Sequence, residues 1–215
     1  MDLFFGSGNA GKLAELLRLV EGLSIRVVTA EALGRPLPEV VEDGDTFRAN
    51  AEKKARAFAA FAGMPALADD SGLCVDALGG APGVHSARFS EDEAPGLVKL
   101  ERDLANNRKL LRLLAGRPDA ERGAAFVSVI VVARPDGEVL AAVEGRCPGR
   151  IGHAPRGAGG FGFDPLFVPE GGDSTMAELP PAGKDAVSHR GRAFRALRPA
   201  LEGLAALDAG KGTGY

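Results

Sequence analysis

Cysteine is nearly missing from this sequence: Cys74 and Cys147 are the two that its 215 residues contain. They stand far apart and form no CxxC pair, which excludes a disulfide framework and a thiolate metal cluster. A basic surplus is missing too. Lys and Arg number 26 against 29 Asp and Glu, a net charge of −3, so no overall positive field is present to hold nucleic acid without specificity. Any anionic ligand must be met by a local site, and no nucleic-acid partner is expected. No apolar run is long enough to span a bilayer. The opening MDLFFGSG is too short in its apolar part, and too acidic, for a signal peptide. No membrane role is expected, and the chain reads as cytoplasmic. Internal repeats are absent, as is any linker that would separate two domains. What is there, 45% apolar and 26% charged residues, suits an ordinary globular protein that buries its core in one domain or in one domain of two lobes.

The hydrophobic pattern points to a mixed α/β sheet. Residues 3–5 (LFF) form a strand candidate, and LAELLRLVEGL beyond them has helical periodicity that stops at Gly22. A second strand is expected at Ile25 to Val28, followed by an acidic, Pro- and Gly-rich loop from Gly34 to Gly44. Asp45 or Thr46 can cap a helix running to about Ala62. A short third strand, 66–68, ends at the adjacent pair Asp69 and Asp70. Residues 96–115 read as a helix with Leu97, Leu100, Leu104, Leu111 and Leu114 on one side. The clearest β signal is AAFVSVIVVA at 124–133, then Pro-Asp-Gly at 135–137 and EVLAAVEGRC: a long central hairpin with recognised turn chemistry. The Gly-rich segment 157–165 leads to a last strand at 166–168, and a final helix follows His189. One domain is expected over 1–207, with a disordered tail over 208–215.

Three local features carry chemistry. GSGNAG, from Gly6 to Gly11, matches the dinucleotide fingerprint between a strand and a helix, with Glu31 twenty residues beyond. Extended to Lys12 it resembles the start of a P-loop, but Leu13 stands where magnesium needs Ser or Thr. Both readings rest on backbone N–H groups at a helix N-terminus, with Lys12 as an added point charge, and both imply anion binding. In DTFRANAEKKARAFAAF, Asn50 and Lys54 fall within the apolar stripe of Phe47, Ala51, Phe58 and Phe61. Such a lysine either snorkels at the rim of the core or meets a phosphate. Finally, two carboxylates side by side at the end of a buried strand are costly unless each finds a partner. If the chain stays extended there, Asp69 and Asp70 point to opposite faces.

Taken in order, SGNAGK at 7–12, EDGDTFRANAEKKA at 42–55, ADDSGLCVDALGGAPGVHSAR at 68–88, and GGFGFDP at 159–165 with SHRGRA at 188–193 resemble the inosine/xanthosine triphosphate pyrophosphatase family. The resemblance runs from Leu3 to about Leu204. It implies hydrolysis of non-standard purine nucleoside triphosphates (ITP, dITP, XTP) to nucleoside monophosphate and pyrophosphate, with Mg²⁺. It also implies an elongated mixed α/β fold of two lobes around a substrate cleft, and a homodimer. Carried over by residue, the loop Ser7, Gly8, Asn9, Ala10, Gly11 and Lys12 holds the triphosphate, together with Lys54. Glu42 and Asp70 serve the metal, Asp70 is also the proton acceptor, and Ser71 contacts substrate. Phe161, Gly162, Phe163 and Asp164, with Lys184, His189 and Arg190, contact the nucleoside. Asp69 is expected to support, accepting backbone or lysine hydrogen bonds.

Magnesium with a few carboxylates, phosphate oxygens and lysines forms a familiar arrangement for a departing pyrophosphate. A donor aimed at O6, from Arg190 or a backbone N–H of the Gly-rich loop, accepts hypoxanthine or xanthine and opposes the amino group of adenine. Phe161 or Phe163 is a stacking candidate for the base, against the commoner role of phenylalanine in a core. Two other functions fit the GSGNAG loop: a dinucleotide-dependent oxidoreductase, with Glu31 on a ribose, and a nucleotide-binding module without catalysis.

Overall fold

The structure, a computed structural model, describes residues 1–211. Six strands form one mixed sheet in the order β2-β1-β3-β4-β5-β6. These are β1 (Asp2–Phe5), β2 (Arg26–Val28), β3 (Ala66–Val75), β4 (Gly123–Ala133), β5 (Val139–Ile151) and β6 (Phe167–Pro169). β1 runs parallel to both β2 and β3, and β5 runs antiparallel to β6. Five helices accompany them: α1 (Ala10–Leu19), α2 (Phe47–Ala62), α3 (Lys99–Leu113), α4 (Pro181–Val187) and α5 (His189–Lys211). The mixed sheet and its central β4–β5 hairpin agree with the sequence. Gly137 takes φ 90° in the hairpin turn, where its N–H donates to the Arg134 carbonyl at 2.9 Å. Among the described residues, no helix is long and apolar enough to cross a membrane.

The chain forms two compact units, each assembled from separated segments. The first holds residues 1–70, 128–145 and 191 onward; the second holds 71–127 and 146–190. In the first unit, strand alternation sorts side chains onto two faces. Leu3, Phe5, Leu67, Ile130 and Val132 join Leu16 of α1 and Phe194, Leu197 and Leu201 of α5. Phe4, Ala66, Ala68, Val129 and Val131 join Ala51, Ala55, Phe58 and Ala59 of α2. Both sheet faces are therefore covered, which is why β1, β3 and β4 read as apolar runs rather than as alternating patterns. In the second unit, Leu73, Val75, Phe126, Ile151, Phe163, Leu166, Phe167 and Met176 pack with Leu110 and Leu114.

Three expectations need correction. β3 does not end at the aspartates: it continues through Asp69, Asp70 and Ser71 to Val75, because the charged pair has partners inside the fold. The buried face of α3 is the expected leucine stripe only in part, through Leu111 and Leu114 at its C-terminal end. It carries Ala105, Asn106, Asn107 and Leu110, whereas Leu100 and Leu104 are exposed. Asn106 and Asn107 tolerate burial because their amides bond backbone groups of Ser90, Ser86 and Gly162. Lastly, α5 extends to Lys211 and makes residues 208–211 of the expected tail helical; residues 212–215 lie outside the described residues. The short helix α4 has no counterpart in the sequence reading.

Candidate active site

The glycine loop lies between β1 and α1. Asn9 caps the helix, its Oδ1 accepting from the N–H groups of Gly11 (3.0 Å) and Lys12 (3.4 Å), while Ser7 Oγ accepts from the Asn9 N–H at 3.1 Å. Ala10, Gly11 and Lys12 thus form the first helical turn, and Gly8 is open to solvent. The first glycine has a packing role. A Cβ on Gly6 would lie 2.2 Å from the ring of Phe58, so the loop can pass α2 only without a side chain there.

The two aspartates obey the strand alternation, and each meets a different helix. Asp69 shares the face of Leu67. Its Oδ2 lies 2.7 Å from Lys12 Nζ of α1, and its Oδ1 accepts from the Ser128 hydroxyl of β4 at 2.7 Å. Asp70 shares the face of Ala68. Its Oδ1 accepts at 2.8 Å from Lys54 Nζ of α2, which donates equally, at 2.8 Å, to Glu42 Oε2. Asp69 therefore takes the supporting role expected of it.

Lys54 is 8% exposed and Asp70 6%. Burial pushes the Asp70 carboxyl up, and the adjoining Glu42 adds to this. Lys54 and Lys12 oppose them, and the outcome is a pKa raised to about 6. For Glu42 burial also favours the neutral form, but a proton donated by Asp70 and the charges of Lys54 and Lys12 outweigh it and hold the group below its ordinary value. Lys54 loses hydration on burial, yet Asp70 and Glu42 together raise its pKa and keep it charged. Asp70 Oδ2 is buried and meets no N–H or O–H donor among the described residues.

Asn50 and Ser128 hold members of this cluster or its loop in place, although sequence reasoning assigned them no role. Asn50, fully buried on α2, accepts from the Gly44 N–H at 2.8 Å and donates to the Gly44 carbonyl at 3.4 Å. It thereby ties down the loop that carries Glu42. Its signal was visible as a polar residue on an apolar stripe. Ser128 gave none, lying inside the apolar run of β4 and 59 residues from its partner.

In the second unit, Arg190 donates to Ser71 Oγ at 2.9 Å, and His189 stacks on Phe126 with centroids 4.7 Å apart. The FGFD loop is closed from within: Asp164 Oδ2 accepts from the Phe161 N–H (2.8 Å) and from Lys184 Nζ (2.6 Å). Asp164 and Lys184 are thus paired with each other, and Asp164 also holds the loop. Phe163 is in the core, edge-on to Phe89 at 6.3 Å, so it is no longer a stacking candidate. Phe161 is half-buried and faces three cations: Lys184 at 4.7 Å, Lys99 at 5.1 Å and Arg190 at 5.8 Å from its ring centroid. The loop is also held from α3, where Asp103 Oδ2 accepts from the Gly162 N–H at 3.0 Å and Asn107 Nδ2 donates to the Gly162 carbonyl at 2.9 Å.

The chain resembles known proteins over nearly its whole length. The Ham1 family model matches residues 3–200. The dITP/XTP pyrophosphatase of Anaeromyxobacter dehalogenans is 59% identical, across 95% of this chain and 99% of that one. Among solved structures, a HAM1 protein from Coxiella burnetii superposes with a TM-score of 0.80 at 36% identity, covering 94% of this chain and 98% of that one. A nucleoside-triphosphatase / dITP/XTP pyrophosphatase from Mycobacterium abscessus gives a TM-score of 0.70 at 46% identity, covering 93% and 100%.

Proposed function

The chain belongs to the Ham1 family, and from that membership we propose that it hydrolyses non-standard purine nucleoside triphosphates, dITP and XTP among them, to the monophosphate and pyrophosphate. The observation that carries this reading is Lys54 bridging Glu42 and Asp70 in a buried cluster beside the capped N-terminus of α1. Dinucleotide-dependent oxidoreduction is not favoured: the relatives carry hydrolase names, and that reading leaves the Glu42–Lys54–Asp70 cluster without work.

In this reading the glycine loop and the Glu42–Lys54–Asp70 cluster take the triphosphate. Phosphate oxygens would take the place of the Asn9 side chain on the Gly11 and Lys12 N–H groups, with the Lys12 ammonium beside them. Lys54 has three N–H donors, and two carboxylates use two of them, which leaves the third for a phosphate oxygen. Glu42 and Asp70 would hold Mg²⁺. Two carboxylates and the donor-free Oδ2 of Asp70 suit an ion that takes its remaining ligands from phosphate and water. When bound, the metal supplies charge neutralisation on the triphosphate and lowers the pKa of a water. Asp70, whose pKa burial raises to about 6 in the metal-free chain, would be the group that accepts the proton of the attacking water. Water bonds to the α-phosphorus, the α–β bridging oxygen leaves with pyrophosphate, and Lys12 and Lys54 stabilise the charge that gathers there.

The FGFD loop and its neighbours take the purine nucleoside. Phe161 offers a ring face, and Arg190 with the N–H groups of the Gly-rich loop offers donors to a 6-oxo group. Ser71 would contact substrate under the hold of Arg190. The proposal includes a cytoplasmic homodimer without nucleic-acid partners, supported by the acidic balance and by the motif resemblance; light scattering tests the dimer.

Incubation with ITP, dITP, XTP, dGTP and ATP plus Mg²⁺, assayed for pyrophosphate and orthophosphate separately, tests the whole. Pyrophosphate from the first three is expected, with loss of turnover in EDTA. Orthophosphate as sole product would overturn the bond assignment, and tight binding without turnover would favour a binding module.

A further inference from the structure

α3 spends two polar side chains on one glycine of the FGFD loop. Asp103 and Asn107 lie four residues apart, hence on one side of the helix, and together they satisfy both backbone groups of Gly162. Gly162 has φ 61°, the left-handed region, so the peptide planes on its two sides are turned as an ordinary residue would not turn them. A Cβ there would meet nothing within 4 Å. The glycine therefore serves its conformation and not a close approach. Its neighbours point apart: Phe163 is sunk in the core, while Phe161 is half-buried beneath three cations. The orientation of the Gly162 peptides decides that divergence. Asn107 is 6% exposed and its Oδ1 finds no partner among the described residues. An orphaned buried acceptor is costly, and core packing alone would favour an apolar residue at that position.

We propose that Asp103 and Asn107 are positioning residues for purine recognition: by gripping Gly162 they fix the direction of the Phe161 ring and so set affinity and selectivity for the base. This inference rests on the reading of the FGFD loop as the nucleoside contact. Neither residue is expected to touch substrate, and the phosphate end should not register their loss.

The test uses Asp103→Ala, Asp103→Asn, Asn107→Leu and, as the control on the underlying reading, Phe161→Ala. For each variant, kcat and KM for dITP and dGTP are measured with the Ki of pyrophosphate. Losing one hydrogen bond to a loop backbone is expected to raise KM for dITP about tenfold. The preference for dITP over dGTP should narrow, with Ki for pyrophosphate unchanged within twofold. Asp103→Asn should recover most of the loss, because its amide oxygen still accepts from the Gly162 N–H; a general loss of stability would not be rescued in this way. If Asn107→Leu does not fold, the Asp103 pair decides. An unchanged KM in Asp103→Ala, or a parallel loss of pyrophosphate affinity, overturns the proposal while Phe161→Ala still raises KM. An unchanged KM in Phe161→Ala removes the nucleoside-loop reading itself.

Discussion

Replacing Asp70 with Asn should stop catalysis and make the protein more stable. Folding raises the Asp70 pKa from its ordinary 3.8 to about 6, so the folded chain holds this proton more tightly than the unfolded one. Stability from this group is complete below about pH 3.8, falls as pH rises through the window from 3.8 to 6, and is lost above it. At about 1.36 kcal/mol per pH unit, ionising Asp70 costs about 3 kcal/mol at neutral pH. Asn keeps the shape, still accepts from Lys54, can donate to Glu42 as protonated Asp70 does, and never ionises. The variant should therefore gain up to about 3 kcal/mol over the parent at pH 7.5 and almost nothing at pH 4. For a chain of this size the gain is worth roughly 6–12 °C in Tm. Urea titrations in EDTA at both pH values measure it, with pyrophosphate release expected to drop about a hundred- to ten-thousand-fold. A variant that is destabilised at pH 7.5, or equally stabilised at both pH values, would refute the reasoning. One that retained turnover would remove Asp70 from the chemistry.

Asp69→Asn should behave oppositely: loss of the Lys12 ion pair costs roughly 2 kcal/mol in urea at pH 7, while kcat falls less than about tenfold. A silent Asp69→Asn would contradict the two-face assignment of the pair. Lys54→Met removes the cation that lowers the Asp70 pKa, so the acid limb of kcat/KM should move upward from its parental position as the rate drops at least about a hundredfold. A pH–rate profile reads this directly, and a stationary limb would dissociate Asp70 from it. Arg122→Met tests the second unit. The buried guanidinium donates to the carbonyls of Leu114, Ile151 and Gly152 at 2.7–2.8 Å, and its removal should cost about 2–3 kcal/mol in thermal unfolding; equal stability would show that other donors satisfy those carbonyls.

The sheet and the aspartate pair were legible in the sequence because they rest on periodicity. Alternation along β3 alone places Asp69 and Asp70 on different faces, and helical spacing alone places Lys54 on the buried side of α2. What could not be read were partnerships across long separations. Ser128 reaches Asp69 from another strand, and nothing within β4 distinguishes it from a buried spacer. The same blindness affected α3. Leu111 and Leu114 reach the core as their spacing suggests, but Leu100 and Leu104 do not, and Asn106 and Asn107 are buried through partners at 86–90 and 162 that are visible only after folding. Phe161 and Phe163 are two positions apart and chemically identical, so only the surroundings separate a core ring from one left accessible beside cations.

The grip of Asn50 on Gly44 has a consequence for how the chain can vary in length. Glu42 and Lys54 meet across twelve positions, and the segment between them is anchored midway by a side chain of the helix that also presents Lys54. Adding or deleting one residue between Gly44 and Asn50 would pull Gly44 out of register with the Asn50 amide and release the segment that brings Glu42 to Lys54. The stretch Gly34–Pro36, a few residues earlier, is exposed yet has a tether of its own, since Arg35 donates to the Phe61 carbonyl of α2 at 2.9 Å and lies over the Phe61 ring at 4.0 Å. The loop is therefore held to α2 at two points, by a guanidinium near one end and by a buried amide near the other, and the chain between Arg35 and Gly44 is where its length can vary.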